Sequence, residues 1–142
     1  MDINEFEEFR PLDFFQLANE LNENMDKFNS SSSSVKRNIF GRIYYSVFLF
    51  VREWLLRHTN YKSHPKDDHS KIPKYIRMHG PFSSNINMDI SRKIETLKKL
   101  RHQSDYYIEV PPLYSYEYSN WTFKDISYAL ALAEDIFVAF GG

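Results

Sequence analysis

The sequence predicts an all-α domain, a four- to five-helix antiparallel bundle over residues 1–142. Three observations carry that expectation. Apolar residues recur at three- and four-residue steps in separate stretches, the pattern of amphipathic helices. No stretch alternates apolar and polar residues with the period of two that a half-buried strand requires. Proline, glycine and serine gather mainly between the periodic stretches, and the short connections they leave favour antiparallel neighbours.

The elements follow in chain order. Phe14, Phe15, Ala18, Leu21, Met25 and Phe28 mark a first helix over Leu12–Phe28 with an acidic polar face. The serine run 30–34 reads as a connector whose last residue, Ser34, N-caps the next helix. From Val35 to about His58, Ile39, Ile43, Val47, Phe50 or Val51, and Trp54 hold one stripe over about 24 residues, or ~36 Å at the helical rise. Phe40, Tyr44, Phe48 and Leu55 widen it, which predicts a central helix contacted on more than one side. Between Thr59 and Asn87 the pattern weakens around Pro65, Pro73, Gly80 and Pro81. A short helix is expected over Ser70–Met78, with Pro73 in its first turn. The fourth helix is expected over Asp89–Tyr107, with Ile90, Ile94, Leu97 and Leu100 facing the core. Pro111 and Pro112 end it, and Leu113–Asn120 is a tyrosine-rich loop. Thr122 and Asp125 cap a last helix whose core residues are Ile126, Ala129, Leu130, Ala133, Phe137 and Phe140.

Composition narrows the function. A chain of 142 residues has the size of one domain and buries about two-thirds of its unfolded surface. The absence of cysteine excludes a disulfide framework, a zinc-thiolate cluster and a cysteine nucleophile. Neither a signal-peptide start nor an apolar run of ~18 residues is present, so the chain reads as soluble and cytoplasmic, without membrane contact. Only four glycines occur, and they make no phosphate-cradling loop. Charge is uneven. Residues 1–35 carry net −6, residues 36–101 net +10 and residues 102–142 net −5. A basic middle is either a footprint for a phosphate-bearing ligand or an arm that pairs with the acidic ends. His58, His64, His69 and His79 with Asp67 and Asp68 invite a metal, but their spacing matches no helical ligand motif. The reading is therefore no metal and no cofactor.

Two segments place polar groups inside apolar helical patterns. On the fourth helix Arg101 and Asp105, four apart, share a face, while His102 and Tyr106 form a second such pair about 100° round. The plain reading is a surface ion pair worth a few tenths of a kcal/mol. On the second helix, the plain reading makes at least one of Tyr44 and Tyr45 a core aromatic whose polar tip needs one hydrogen bond. The functional reading sets Arg42 and Tyr45 opposite Arg101 and Asp105. A tyrosine hydroxyl or Arg42 would pair with Asp105 and order Arg101 for an anion. The sets Lys71, Lys74, Arg77 and Arg92, Lys93, Lys98, Lys99 are either solvated faces or a phosphate-tracking surface with Tyr106, Tyr107 and Tyr114 as stacking partners.

The segments Arg42-Ile43-Tyr44-Tyr45-Ser46-Val47-Phe48 and Leu100-Arg101-His102-Gln103-Ser104-Asp105-Tyr106 resemble the "RxYYxxF" and "LRxxADY" helices of one branch of the HEPN family, small helical domains that act as RNases, toxins or nucleotide-binding modules. The resemblance covers about residues 34–140. HEPN ribonucleases carry an arginine, a polar residue, and a histidine four to six residues beyond the arginine. Arg101 and His102 match the first two. The resemblance implies that Arg101 holds a scissile phosphate while a histidine manages the proton of an attacking ribose 2′-hydroxyl, without metal. The positions five, six and seven beyond Arg101 are Tyr106, Tyr107 and Ile108, and no histidine follows. Tyrosine, with a pKa near 10, is a poor base at neutral pH. The branch also implies members that sit beside nucleotidyltransferases. His69 matches a family histidine before the short helix, which would place it in the groove of Arg101. The expectation is thus a HEPN-like RNA- or nucleotide-binding homodimer, part of a toxin-antitoxin or defence system, with ligand-binding residues Arg42, Tyr45, His69, Lys98 and Asp105. One alternative is a metal-independent endoribonuclease toxin with Arg101, His102 and Tyr106 as catalytic residues. Another is a protein-interaction module partnering a nucleotidyltransferase.

Overall fold

In the computed structural model, which describes residues 10–25, 32–109 and 123–141, Pro11 opens the first helix, α1 (Pro11–Glu23). Its fixed φ and missing N–H suit a first helical position. Asn24 stops the helix, donating from its backbone N–H (3.1 Å) and from Nδ2 (2.8 Å) to the Glu20 carbonyl. The helix therefore ends at Glu23, short of the predicted Phe28, which lies outside the described residues. Met25 still packs into the core.

The second helix, α2 (Ser32–His58), begins before the predicted cap, with Ser34 inside it. Serine in a first turn is cheap, and no glycine or proline stands there to stop the helix from extending. Its widened stripe behaves as expected: Ile39, Phe40, Ile43, Tyr44, Val47, Phe48, Val51 and Leu55 are all buried. No single neighbour can cover so broad a face, and α2 touches each of the other four helices described here. Thr59 closes it, its N–H and Oγ1 both donating to the Leu55 carbonyl at 3.0 and 2.6 Å.

The third helix, α3 (Asp68–His79), starts two residues before the prediction, and Pro73 sits in its interior rather than its first turn. Proline there cannot donate to the carbonyl four residues back, that of His69. Lys98 from the next helix supplies a donor instead, its Nζ 3.4 Å from the His69 oxygen. Ser91 donates to the Pro73 carbonyl at 2.9 Å, so the kink-prone turn is held by two side chains of α4.

The fourth helix, α4 (Ser84–Glu109), starts five residues ahead of the expected Asp89. Ser83 caps it, accepting the Ile86 N–H on Oγ at 3.4 Å. The first turn is solvent-exposed and so carries no apolar period to betray it; the period begins where burial begins, at Ile90, Ile94 and Leu97. Asn87 ties the preceding turn by bonding both the N–H (3.1 Å) and the carbonyl (2.9 Å) of Phe82.

The last helix, α5 (Phe123–Ala139), packs on α2 and α4 through Ile126, Ala129, Ala133, Ile136, Phe137 and Phe140. Phe137 receives Phe15 and Phe50 edge-on, at centroid distances of 5.2 and 5.1 Å. Such pairs add ~1 kcal/mol each beyond burial. Lys93 links α4 to α5, 2.8 Å from Asp89 and 3.3 Å from Asp135. These carboxylates, Asp89 foremost, raise its pKa. Gly141, at φ 80°, takes the left-handed conformation that ends the helix. Thr122 and the tyrosine-rich loop lie outside the described residues, as does the side chain of Asp125. The architecture is an all-α bundle around α2, and no helix among the described residues is long and apolar enough to cross a membrane.

Candidate functional site

Helical geometry sends the adjacent residues Tyr44 and Tyr45 in different directions, and the site is built on that split. Tyr44 is buried in the core, whereas Tyr45 is 37% exposed. The buried ring needs a partner for its hydroxyl and finds it in α3, where His69 Nδ1 lies 2.7 Å from Tyr44 Oη. His69 is held flat by stacking on Phe48, with centroids 3.9 Å apart and planes 10° from parallel. Phe48 follows Tyr44 by one turn of α2, and the two rings stack as well.

Burial raises the Tyr44 pKa above the usual tyrosine range, although the Arg101 charge works against this. Burial, followed by the positive charges of Arg101 and Lys98, holds the His69 pKa below that of an ordinary histidine. Both partners of the 2.7 Å bond are therefore neutral at pH 7.

Arg101 comes to these rings from α4. Its guanidinium carbon lies 4.5 Å from the Tyr45 centroid and 5.3 Å from that of Tyr44, and Nη2 donates to Tyr45 Oη at 3.2 Å. An arginine laid on two rings keeps its planar fork in a restricted orientation, the arrangement that suits phosphate recognition.

Two grooves adjoin Arg101. The first, about 430 Å³, lies between α3 and α4 and is lined by His69, Glu95, Lys98, Lys99, Arg101 and His102, with Tyr44 at its base. Among the described residues its lining sets three cations against one carboxylate. The second, about 520 Å³, opens on the α1–α2 side between Phe14, Arg37, Gly41, Arg42, Tyr45 and Arg101. Arg42 Nε donates to Asn38 Oδ1 at 3.0 Å, one turn back on its own helix.

The structure thus brings together His69, Lys98, Arg101 and His102 in one groove, and Arg42 and Tyr45 in the neighbouring one. His102 is exposed, whereas His69 is half-buried and oriented by two rings. The side chains of Asp105 and Tyr106 lie outside the described residues, and so does any pairing of Arg42 with Asp105. Sequence reasoning did not single out Glu95, Arg37 and Phe14 for the site. Phe48 closes the segment that resembles RxYYxxF, but no role was read for it there, because its i+4 spacing from Tyr44 belongs to the apolar period of the core. Lys93, taken with its neighbours as a possible phosphate tracker, is instead the link to α5.

The acidic pair Asp67 and Asp68 also resolves. Asp68 is 1% exposed and its carboxylate gathers the loop ahead of α3: Tyr61 Oη and the His64 N–H donate to Oδ1, and Ser63 Oγ donates to Oδ2 at 2.7 Å. Arg52 Nε faces Oδ2 at 3.3 Å as an ion pair that is not aligned as a hydrogen bond. This carboxylate is an acceptor hub that fixes the start of α3, and with it the neighbouring His69. Among the described residues no group of three or more histidine, aspartate or glutamate side chains could hold a metal ion. Compared with known proteins, the chain matches no family model, no curated sequence and no solved structure.

Proposed function

We propose that the chain is a HEPN-like domain that binds RNA or a nucleotide through phosphates held at the Arg101 groove. The observation that carries this reading is the guanidinium of Arg101, laid on Tyr44 and Tyr45 beside Lys98 and Lys99, with Glu95 the one carboxylate among the described residues that line the groove. Phosphate oxygens favour a planar fork with flanking point charges, and the adjacent aromatic surface suits bases. Homodimerisation, membership of a toxin-antitoxin or defence pair, and pairing with a nucleotidyltransferase rest on the sequence resemblance alone.

The test is a gel-shift titration of a mixed RNA pool against the parent and Arg101→Ala, in EDTA. Retardation by the parent that is lost in the variant supports the reading; an unretarded pool overturns it. A second reading, a metal-independent ribonuclease, is favoured by His69, whose lowered pKa leaves a neutral imidazole beside Arg101. With its Nδ1–H donated to Tyr44 Oη, the ring's Nε2 is the nitrogen left to accept a 2′-hydroxyl proton. Cleavage that survives EDTA and is lost in both Arg101→Ala and His69→Ala supports that second reading, and intact RNA removes it.

A further inference from the structure

Gly41 stands in the interior of α2, where neither backbone nor packing asks for a glycine. Its φ is not positive, and a Cβ built on it meets nothing within 4 Å. Glycine in a helix interior costs about 1 kcal/mol relative to alanine. The structural consequence of having no side chain there is an open second groove, since Gly41 lines it.

That groove has the character of a stacking site rather than of a second phosphate pocket alone. Phe14 from α1 and the exposed Tyr45 from α2 bring two aromatic rings to it, with Arg42 6.0 Å over the Phe14 ring. Arg37 and Arg42 add positive charge to the same walls. Arg101 lines both grooves, so the two share a wall at its guanidinium.

We infer that the two grooves are consecutive subsites for a single-stranded oligonucleotide, the first taking a phosphate at Lys98, Lys99 and Arg101, the second taking the neighbouring base and its phosphate beside Phe14, Tyr45 and Arg42. This rests on the phosphate-binding reading of the Arg101 groove and extends it: the ligand class is an oligonucleotide of at least two residues, not a mononucleotide. Mononucleotides fill the first subsite and leave the second empty.

Gly41→Leu tests this directly. The leucine extends toward the second groove from a position where its Cβ meets nothing within 4 Å, and it is a better helix former than glycine. Affinities for uridine 5′-monophosphate and for an oligouridylate hexamer are measured by fluorescence anisotropy competition. The parent is expected to prefer the hexamer. Gly41→Leu is expected to lower hexamer affinity by about tenfold, the scale of one stacked base, and to leave monophosphate affinity unchanged. Arg42→Gln, which retains a donor for Asn38, is expected to act in the same direction. Lys99→Ala is expected to weaken both ligands. A hexamer affinity that neither Gly41→Leu nor Arg42→Gln changes overturns the second subsite while leaving the first intact. A parent that binds neither ligand overturns the function reading itself.

Discussion

Replacing Asp68 removes the acceptor for an entire loop, and the cost can be worked from its partners. The buried carboxylate accepts three hydrogen bonds, from Tyr61 Oη, the His64 N–H and Ser63 Oγ, and faces Arg52 at 3.3 Å. A hydrogen bond to a charged group contributes about 1.5–3 kcal/mol. Three at the lower end give about 4–5 kcal/mol for Asp68→Ala. Arg52 is 35% exposed, so solvent screens its charge and its share adds under ~1 kcal/mol. Asp68→Asn keeps the Oδ1 acceptor but turns an amide N–H toward Ser63 and Arg52, and should cost about half as much. At ~3 °C per kcal/mol for a chain of this size, the alanine variant melts ~12–15 °C below the parent and the asparagine variant ~6–8 °C below. The assay is thermal unfolding followed by circular dichroism, in EDTA and across pH. Burial pushes the Asp68 pKa up, but the hydrogen bonds from Tyr61, His64 and Ser63, then the Arg52 charge, outweigh it and hold the group below its ordinary value. A depressed folded pKa means stability that is complete above the unfolded value of about 3.9 and lost as pH falls toward the folded one. The acid limb below pH ~4 should therefore shrink in Asp68→Asn. An alanine variant that melts within ~3 °C of the parent refutes the hub, and a parent whose melting drops in EDTA returns Asp68 to a metal-binding role.

His69 should titrate below the usual histidine value, and Arg101→Ala should move that titration upward, because the guanidinium disfavours the imidazolium. Ring resonances followed by NMR across pH check this, and a titration indifferent to Arg101 refutes it. The same sign predicts a second acid limb: stability is complete above the unfolded histidine pKa of ~6.5 and falls as pH drops toward the lowered folded value. Lys98→Met should cost about 0.5–1 kcal/mol in the parent and nothing in a Pro73→Ala background, where the His69 carbonyl regains a helical N–H; a double-mutant cycle by urea unfolding measures this coupling. Gly80→Ala should destabilise by about 1–3 kcal/mol, since the added Cβ collides with the Ile76 carbonyl and with the Asn87 amide that ties the turn before α4. Unchanged urea denaturation would show that this turn is looser than its hydrogen bonds imply.

Much of this protein is local and therefore readable along the chain. The helical period, the central rank of Ser32–His58 and the core faces of α4 and α5 follow from spacing, because an amphipathic helix records in its own sequence which side is to be buried. The helix starts did not: Ser84–Met88 is exposed apart from Asn87, so no apolar rhythm announces that turn, and Pro73 could be placed in an interior only once Lys98 and Ser91 were seen to satisfy the carbonyls around it. The chemistry-bearing types of the site were also legible, as Arg101, His102, Lys98, His69, Arg42 and Tyr45 all line one or other groove. Their roles were decided by packing. Arg101 reaches Tyr45 across a sequence separation of 56, and His69 meets Tyr44 across 25, distances over which spacing carries no geometry. Sequence determined an all-α bundle with a basic middle. Only the tertiary structure determined that Asp68 is an acceptor hub, that His69 rather than His102 is the oriented imidazole, and that Arg101 divides two grooves, because each depends on which helix faces brought distant residues within hydrogen-bonding and stacking range.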